Sequence, residues 1–131
     1  MKSLYVGCAL RGAPAEFVAG VGELKKQLEN DFKVLHFIGI SPTAAAKEVY
    51  ETDIGCTIEA DIMLAICDQS SLGLGIEIAK RAELGKATII AYRPSVDLSR
   101  MVLGLAELSP SFTVVTYNDP AELLAIMKKY A

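Results

Sequence analysis

The chain has no tryptophan, a single histidine (His36) and only three cysteines, Cys8, Cys56 and Cys67. One histidine argues against a His-based metal centre. The cysteines share no metal or redox spacing, which excludes a zinc ribbon or a CxxC redox pair and fits reduced, mostly buried thiols. Basic clusters are also missing. Thirteen Lys and Arg against sixteen Asp and Glu give a net charge of −3, so a nucleic acid polymer is not the expected partner. No apolar run reaches the ~18 residues that a membrane span requires. The longest, Ala60 to Cys67, is interrupted by Asp61. The amino terminus carries one lysine and then a strand-like run into Gly7, which does not read as a signal peptide. These absences lead us to expect a cytoplasmic protein with no membrane segment and no metal.

What is present suffices for one domain. The chain has 131 residues, 52% of them hydrophobic, and a mean hydropathy of +0.35. A chain of this size buries roughly two-thirds of its unfolded surface, and a second domain is not expected. Apolar periods of two and of 3.6 alternate along it. Strands are expected at Leu4–Ala9, Lys33–Phe37, Ile62–Cys67, Ala87–Tyr92 and Phe112–Thr116. Helices are expected at residues 15–29, from Thr43 to about Ile58, at Leu74–Leu84 with Gly85 as the stop, at Ser99–Leu108, and from the Asp119 cap to Tyr130. The run Ile62–Cys67 is apolar throughout, as in a buried parallel strand. Five strand–helix alternations predict an α/β fold, a single doubly wound five-stranded parallel sheet of order 2-1-3-4-5 with helices on both faces. Ligands then bind where the winding reverses, at the carboxyl ends of the first and third strands. Leu10 to Ala13 and Asp68 to Gly75 follow those two strands.

Four features there bear on chemistry. Ser71 opens a helix beside Gly73 and Gly75. Such a start favours an anion, and Arg11 across the crevice adds a fork suited to phosphate. Ser71 as a plain N-cap is the simpler alternative. Glu77 lies less than two turns into the same helix, and its side chain leans back toward the crevice. It can alternatively be a solvated partner of Lys80 or Arg81. Asp53 falls at the centre of a stripe formed by Ala46, Val49, Tyr50, Cys56 and Thr57. A carboxylate there is costly unless paired or functional; otherwise it caps a helix restarted near Gly55. Tyr5 shares a strand face with Gly7 and either holds a carboxylate or packs as a core aromatic. Two carboxylates near a phosphate site are the usual equipment for glycosidic cleavage. Ser99 reads as a helix cap, His36 as structural or at a pocket rim, Cys8 and Cys67 as packing, and the pairs Lys25-Lys26 and Lys128-Lys129 as solvated faces.

The stretches YVGCALRGA (Tyr5–Ala13), ETDIGCTIEADIMLA (Glu51–Ala65), QSSLGLGIEIAKRAELGK (Gln69–Lys86) and YRPSVDLSRMVLGL (Tyr92–Leu105) carry a resemblance over nearly the whole chain. The sequence resembles the nucleoside 2-deoxyribosyltransferase superfamily, whose domain is Rossmann- or flavodoxin-like, and within it the 2′-deoxynucleoside 5′-phosphate N-hydrolases. The resemblance implies that Glu77 is the nucleophile, Asp53 the proton donor to the departing base and Tyr5 the group orienting the nucleophile. It implies a 5′-phosphate cradle of Arg11, Gly12, Ser71 and Gly73. It implies that Ser99 reaches the phosphate of a neighbouring subunit, hence a homodimer. It implies hydrolysis to free base and 2-deoxyribose 5-phosphate, with neither metal nor cofactor. Cys8-Ala9 stands where the hydrolases have glycine then serine, so one phosphate contact is missing. The turn from Pro94 to Ser99 is shorter than theirs. Phe37 to Glu48, which should line the base, matches poorly and leaves base preference open. The alternatives are a nucleoside 2-deoxyribosyltransferase, a CMP N-glycosidase, a non-catalytic nucleotide sensor and a flavin-binding module. Arg11 and Ser71, and an end at Ala131 without the transferases' tail, speak against the first.

Overall fold

The alternation read from the sequence is realised as five strands and five helices in a computed structural model that describes residues 1–37 and 41–131. The strands are β1 (Ser3–Cys8), β2 (Lys33–Leu35), β3 (Ile62–Ile66), β4 (Thr88–Tyr92) and β5 (Phe112–Thr116). The helices are α1 (Ala15–Leu28), α2 (Ala46–Glu59), α3 (Leu72–Leu84), α4 (Arg100–Glu107) and α5 (Pro120–Lys128). Every pairing is parallel and the order is β2-β1-β3-β4-β5, the doubly wound arrangement expected. Residues 38–40, within the segment expected to line the base, lie outside the described residues.

Side-chain alternation divides the interior into two layers. Leu4, Val6, Ile62, Leu64, Ile66, Ile89 and Ala91 point to the layer closed by α1 and α5. Tyr5, Met63, Ala65, Cys67 and Ile90 point to the layer closed by α2, α3 and α4. Tyr5 therefore faces the helices that carry Asp53 and Glu77. The pairs Gly7–Ala65 and Cys8–Ile66 end β1 and β3 together, so the segments after them leave the sheet side by side.

Local chemistry moves some boundaries. The second helix begins at Ala46 rather than Thr43, because the Ser41 hydroxyl accepts the N–H groups of Thr43 and Ala44 at 3.4 and 3.3 Å and holds a turn there. The third begins at Leu72, two residues early, since its cap is Ser71. It ends at Gly85, whose φ of 63° lies in the left-handed region. The fifth starts where its Asp119 cap and Pro120 predict, with the Asp119 carboxylate accepting the Glu122 N–H at 3.0 Å. α2 runs unbroken through Gly55, so Asp53 is not the cap of a restarted helix.

Candidate active site

The turn after β1 closes with the Ala13 N–H on the Leu10 carbonyl at 3.1 Å. Its third residue, Gly12, has a φ of 76°, which a side chain would oppose. Arg11 projects from this turn into solvent. After β3, Ser71 caps α3, its Oγ accepting the Leu74 N–H at 3.1 Å. Both readings of Ser71 are compatible, because a capping oxygen leaves its own O–H free to donate. The Gly75 N–H is taken by the Ser71 carbonyl at 3.2 Å. The N–H groups of Leu72 and Gly73 precede any intrahelical bond and face out of the first turn.

Glu77 is not a solvated partner of Lys80 or Arg81. Lys80 pairs with Glu83 at 3.9 Å, and Arg81 is fully buried elsewhere. Glu77 instead turns inward to Tyr5 and Thr57. Tyr5 is 1% exposed, and its hydroxyl hydrogen-bonds the Glu77 carboxylate. Thr57 Oγ1 lies 3.1 Å from Glu77 Oε2 and 2.9 Å from the Asp53 carbonyl, and its single proton serves one acceptor at a time. Burial pushes the Glu77 carboxyl up to about 7. The Tyr5 and Thr57 hydrogen bonds oppose that rise, Asp53 adds to it and Lys25 opposes it. Tyr5 itself is driven far above the usual phenol range, by burial first and then by Glu77 and Asp53. It is therefore a permanent donor to Glu77.

Asp53 lies within α2, close enough for its charge to act on Tyr5, Cys56 and Glu77. The stripe drawn around it is less buried than its apolar residues suggest. Thr57 is the one buried residue of α2, and Tyr50 is 55% exposed. The helix leans its carboxyl end on the sheet and leaves Ala46, Lys47, Glu48 and Tyr50 exposed.

Three residues escaped the sequence reading. Thr57 was placed on the stripe but given no role. Arg81 sends Nη1 to the carbonyls of Thr57 and Ala60 (3.0 and 2.6 Å), Nη2 to those of Asp61 and Ala87 (3.3 and 2.5 Å), and Nε to Thr88 Oγ1 (3.2 Å). It thereby pins the carboxyl end of α2, which has no basic residue in its last turn. Lys25 is no solvated lysine. Its Nζ sits 3.9 Å from the centre of the Phe37 ring, half-buried, and its charge reaches Glu77. The available signal was spacing: Thr57 and Arg81 lie one turn beyond Asp53 and Glu77 on the same faces.

The other candidates fall as follows. Ser99 caps α4, its Oγ accepting the Val102 N–H at 3.4 Å. It shares with Ser71 the lining of a groove of about 620 Å³ between α3 and α4, which Tyr5, Asp53 and Glu77 do not line. His36 pairs with Glu29 at 3.6 Å on the surface. Burial pushes the thiols of Cys8 and Cys67 up to about 11 and about 12, so both are protonated at neutral pH. Among the described residues no three His, Cys, Asp or Glu side chains converge as a metal site, and no helix is long and apolar enough to cross a membrane.

The chain matches no family model. It is 33% identical over 84 residues to the 5-hydroxymethyl-dUMP N-hydrolase of Branchiostoma floridae, covering 63% of this chain and 78% of that one. It is 29% identical over 130 residues to the putative 2′-deoxynucleoside 5′-phosphate N-hydrolase 1 of Thermofilum pendens, covering 92% and 89%. The match to the 5-hydroxymethyl-dUMP N-hydrolase of Rattus norvegicus, 32% identical over 84 residues, spans 63% of this chain and 50% of the rat protein. Among solved structures, the fold is that of the CMP N-glycosidase of Clostridium botulinum, at a TM-score of 0.77, 19% identity and coverage of 99% and 100%.

Proposed function

The chain belongs to the family of the 5-hydroxymethyl-dUMP and 2′-deoxynucleoside 5′-phosphate N-hydrolases, within the nucleoside 2-deoxyribosyltransferase superfamily, and from that premise we propose that it cleaves the N-glycosidic bond of 2′-deoxynucleoside 5′-monophosphates. The observation that carries the reading is the Glu77 carboxylate, half-buried and aimed by Tyr5 and Thr57, on the same helix whose first turn presents Ser71 and Gly73. In this reading Arg11, Gly12, Ser71 and Gly73 hold the 5′-phosphate, and Glu77 lies one sugar length away at C1′.

Glu77 attacks C1′ through an oxocarbenium-like transition state as the C1′–N bond breaks. Asp53 gives the departing base a proton. Water then attacks C1′, the glycosyl ester breaks, and Asp53 recovers a proton from the water. The products are free base and 2-deoxyribose 5-phosphate. The absent 2′-hydroxyl makes the cation easier to form, so deoxynucleotides are preferred. The enzyme works in the cytoplasm as a homodimer. A second copy covers the α3–α4 groove, where Leu72 and Met101 are 93% and 85% exposed, and brings Ser99 to its partner's phosphate.

The test is a panel of the four 2′-deoxynucleoside monophosphates with CMP and GMP, read by chromatography of free base, with Glu77→Ala as control. Base release from a deoxynucleotide that the variant loses supports the proposal. Equal rates on ribonucleotides overturn the sugar preference, release from CMP alone makes the chain a CMP N-glycosidase, and exchange with an added base makes it a transferase. Nucleotide binding without release from any substrate makes it a sensor, and a flavin spectrum a flavin module.

A further inference from the structure

Lys25 comes from α1, whose apolar face (Val21, Leu24, Leu28) covers the opposite side of the sheet from Glu77. Its ammonium nevertheless comes round to the Phe37 ring, 3.9 Å from the centroid. Phe37 in turn meets Tyr5 edge-on, with ring centroids 6.1 Å apart, and Tyr5 donates to Glu77. A cation on an aromatic face is fixed in place, worth roughly 0.5–2 kcal/mol according to its exposure. A lysine turned to solvent would keep its side-chain freedom and its hydration.

The groups around this cation are known. From β1 come Tyr5, through Phe37, and, at the strand end, Cys8; from α2, Asp53; from α3, Glu77. Tyr5, Cys8 and Cys56 are all driven toward their neutral forms, chiefly by burial. Lys25 thus stands as the cation among two carboxylates. A buried carboxylate beside a second one resists ionising, and a positive charge opposes that resistance. The arrangement has a cost on the lysine, since burial lowers it from the usual ammonium range.

We propose that Lys25 is a positioning residue of this site, its ammonium seated on Phe37 so that a positive charge stands behind the Tyr5–Glu77 pair when Glu77 attacks carbon. The inference rests on the reading of Glu77 as the nucleophile. It assigns Lys25 the acid side of the pH profile rather than a contact with substrate.

The experiment compares Lys25→Met, which keeps a stem to pack on Phe37, with Lys25→Arg, which keeps the charge. Two readouts are taken on the full chain: the ¹³C-NMR titration of the Glu77 carboxyl, and base release from the preferred deoxynucleotide across pH. In Lys25→Met the Glu77 titration moves to higher pH, and the acid limb of kcat/KM moves with it. The loss is several-fold at about pH 6 and within about twofold at about pH 9, and Lys25→Arg restores the acid limb. An unmoved Glu77 titration in Lys25→Met overturns the inference, even if base release is confirmed. A loss equal at all pH values also overturns it. A moved titration in a chain that releases no base from any nucleotide upholds the charge coupling and sinks the hydrolase reading instead. If Lys25→Met does not fold, Lys25→Gln is titrated in its place, with the same outcomes deciding.

Discussion

Glu77 shows what a carboxylate turned into the interior costs its own protein. Its folded value of about 7 lies above the 4.5 of the unfolded chain, so the folded state binds the extra proton between them. The associated stability is fully present below about pH 4.5 and is lost as pH rises through about 7. Across that span the loss is about 3 kcal/mol, an order-of-magnitude figure for a half-buried group. Glu77→Gln keeps the shape and the hydrogen-bonding oxygen but has no charge to bury. It is expected to be about 2–3 kcal/mol more stable than the parent at about pH 9, equal to it at about pH 4, and catalytically dead. Urea unfolding at the two pH values checks this. A Glu77→Gln protein without extra stability at high pH would mean that the carboxylate is better solvated than its surroundings imply.

Elements explain how that carboxylate is held. α2 and α3 meet through side chains one turn apart, Asp53 and Thr57 on one helix and Glu77 and Arg81 on the other. The Arg81 fork takes the Thr57 carbonyl on Nη1 while the Thr57 hydroxyl reaches Glu77. A second tie lies across the strand ends. Asp68 accepts the Tyr117 hydroxyl and the Arg93 N–H, the latter at 2.9 Å, and so fixes the start of the segment leading to Ser71. Replacing Arg81 by leucine strands several carbonyls and is expected to cost about 3 kcal/mol or more. Arg81→Lys is not expected to restore the loss, because an ammonium cannot span the fork. Thermal unfolding of both variants decides it, and a lysine variant as stable as the parent would reduce Arg81 to a buried charge. Strand order and helix count were legible because apolar periodicity is a direct image of burial. Asp53 stood out because a polar group was placed where that image called for an apolar one, Glu77 because it follows a helix start at the crevice by less than two turns, and Tyr5 because strand alternation set it on one face with Gly7. Lys25 and Arg81 were not legible, because a long cationic side chain looks the same in sequence whether it ends in water or under a helix. The start of α2 was misplaced for a smaller reason, a serine turn competing with the helix for the same N–H groups.

At the scale of the whole molecule, the exposed apolar surface is unevenly spread. Leu72 at the start of α3 and Met101 at the start of α4 stand in solvent beside the groove that holds Ser71 and Ser99. Scattered apolar residues need no explanation, but a contiguous patch of them beside a polar site does. In the proposed homodimer, a second copy on this face would bury Met101 and set each Ser99 beside the other copy's phosphate cradle. The dimer would then be a condition of substrate affinity rather than of folding, since the two apolar layers of the sheet are closed within one chain. Met101→Glu would place like charges opposite each other across the twofold axis of that proposed dimer. It is expected to give a monomer by sedimentation, with thermal stability within about 1 kcal/mol of the parent when both are compared at dilution. KM for the nucleotide is expected to rise about tenfold or more with kcat less affected, because the group lost with the dimer is the one proposed to contact the phosphate and not C1′. A monomer with unchanged KM would separate Ser99 from the phosphate and leave Arg11 and the α3 amino terminus to bind it alone. An intact Met101→Glu dimer would move the interface off this groove.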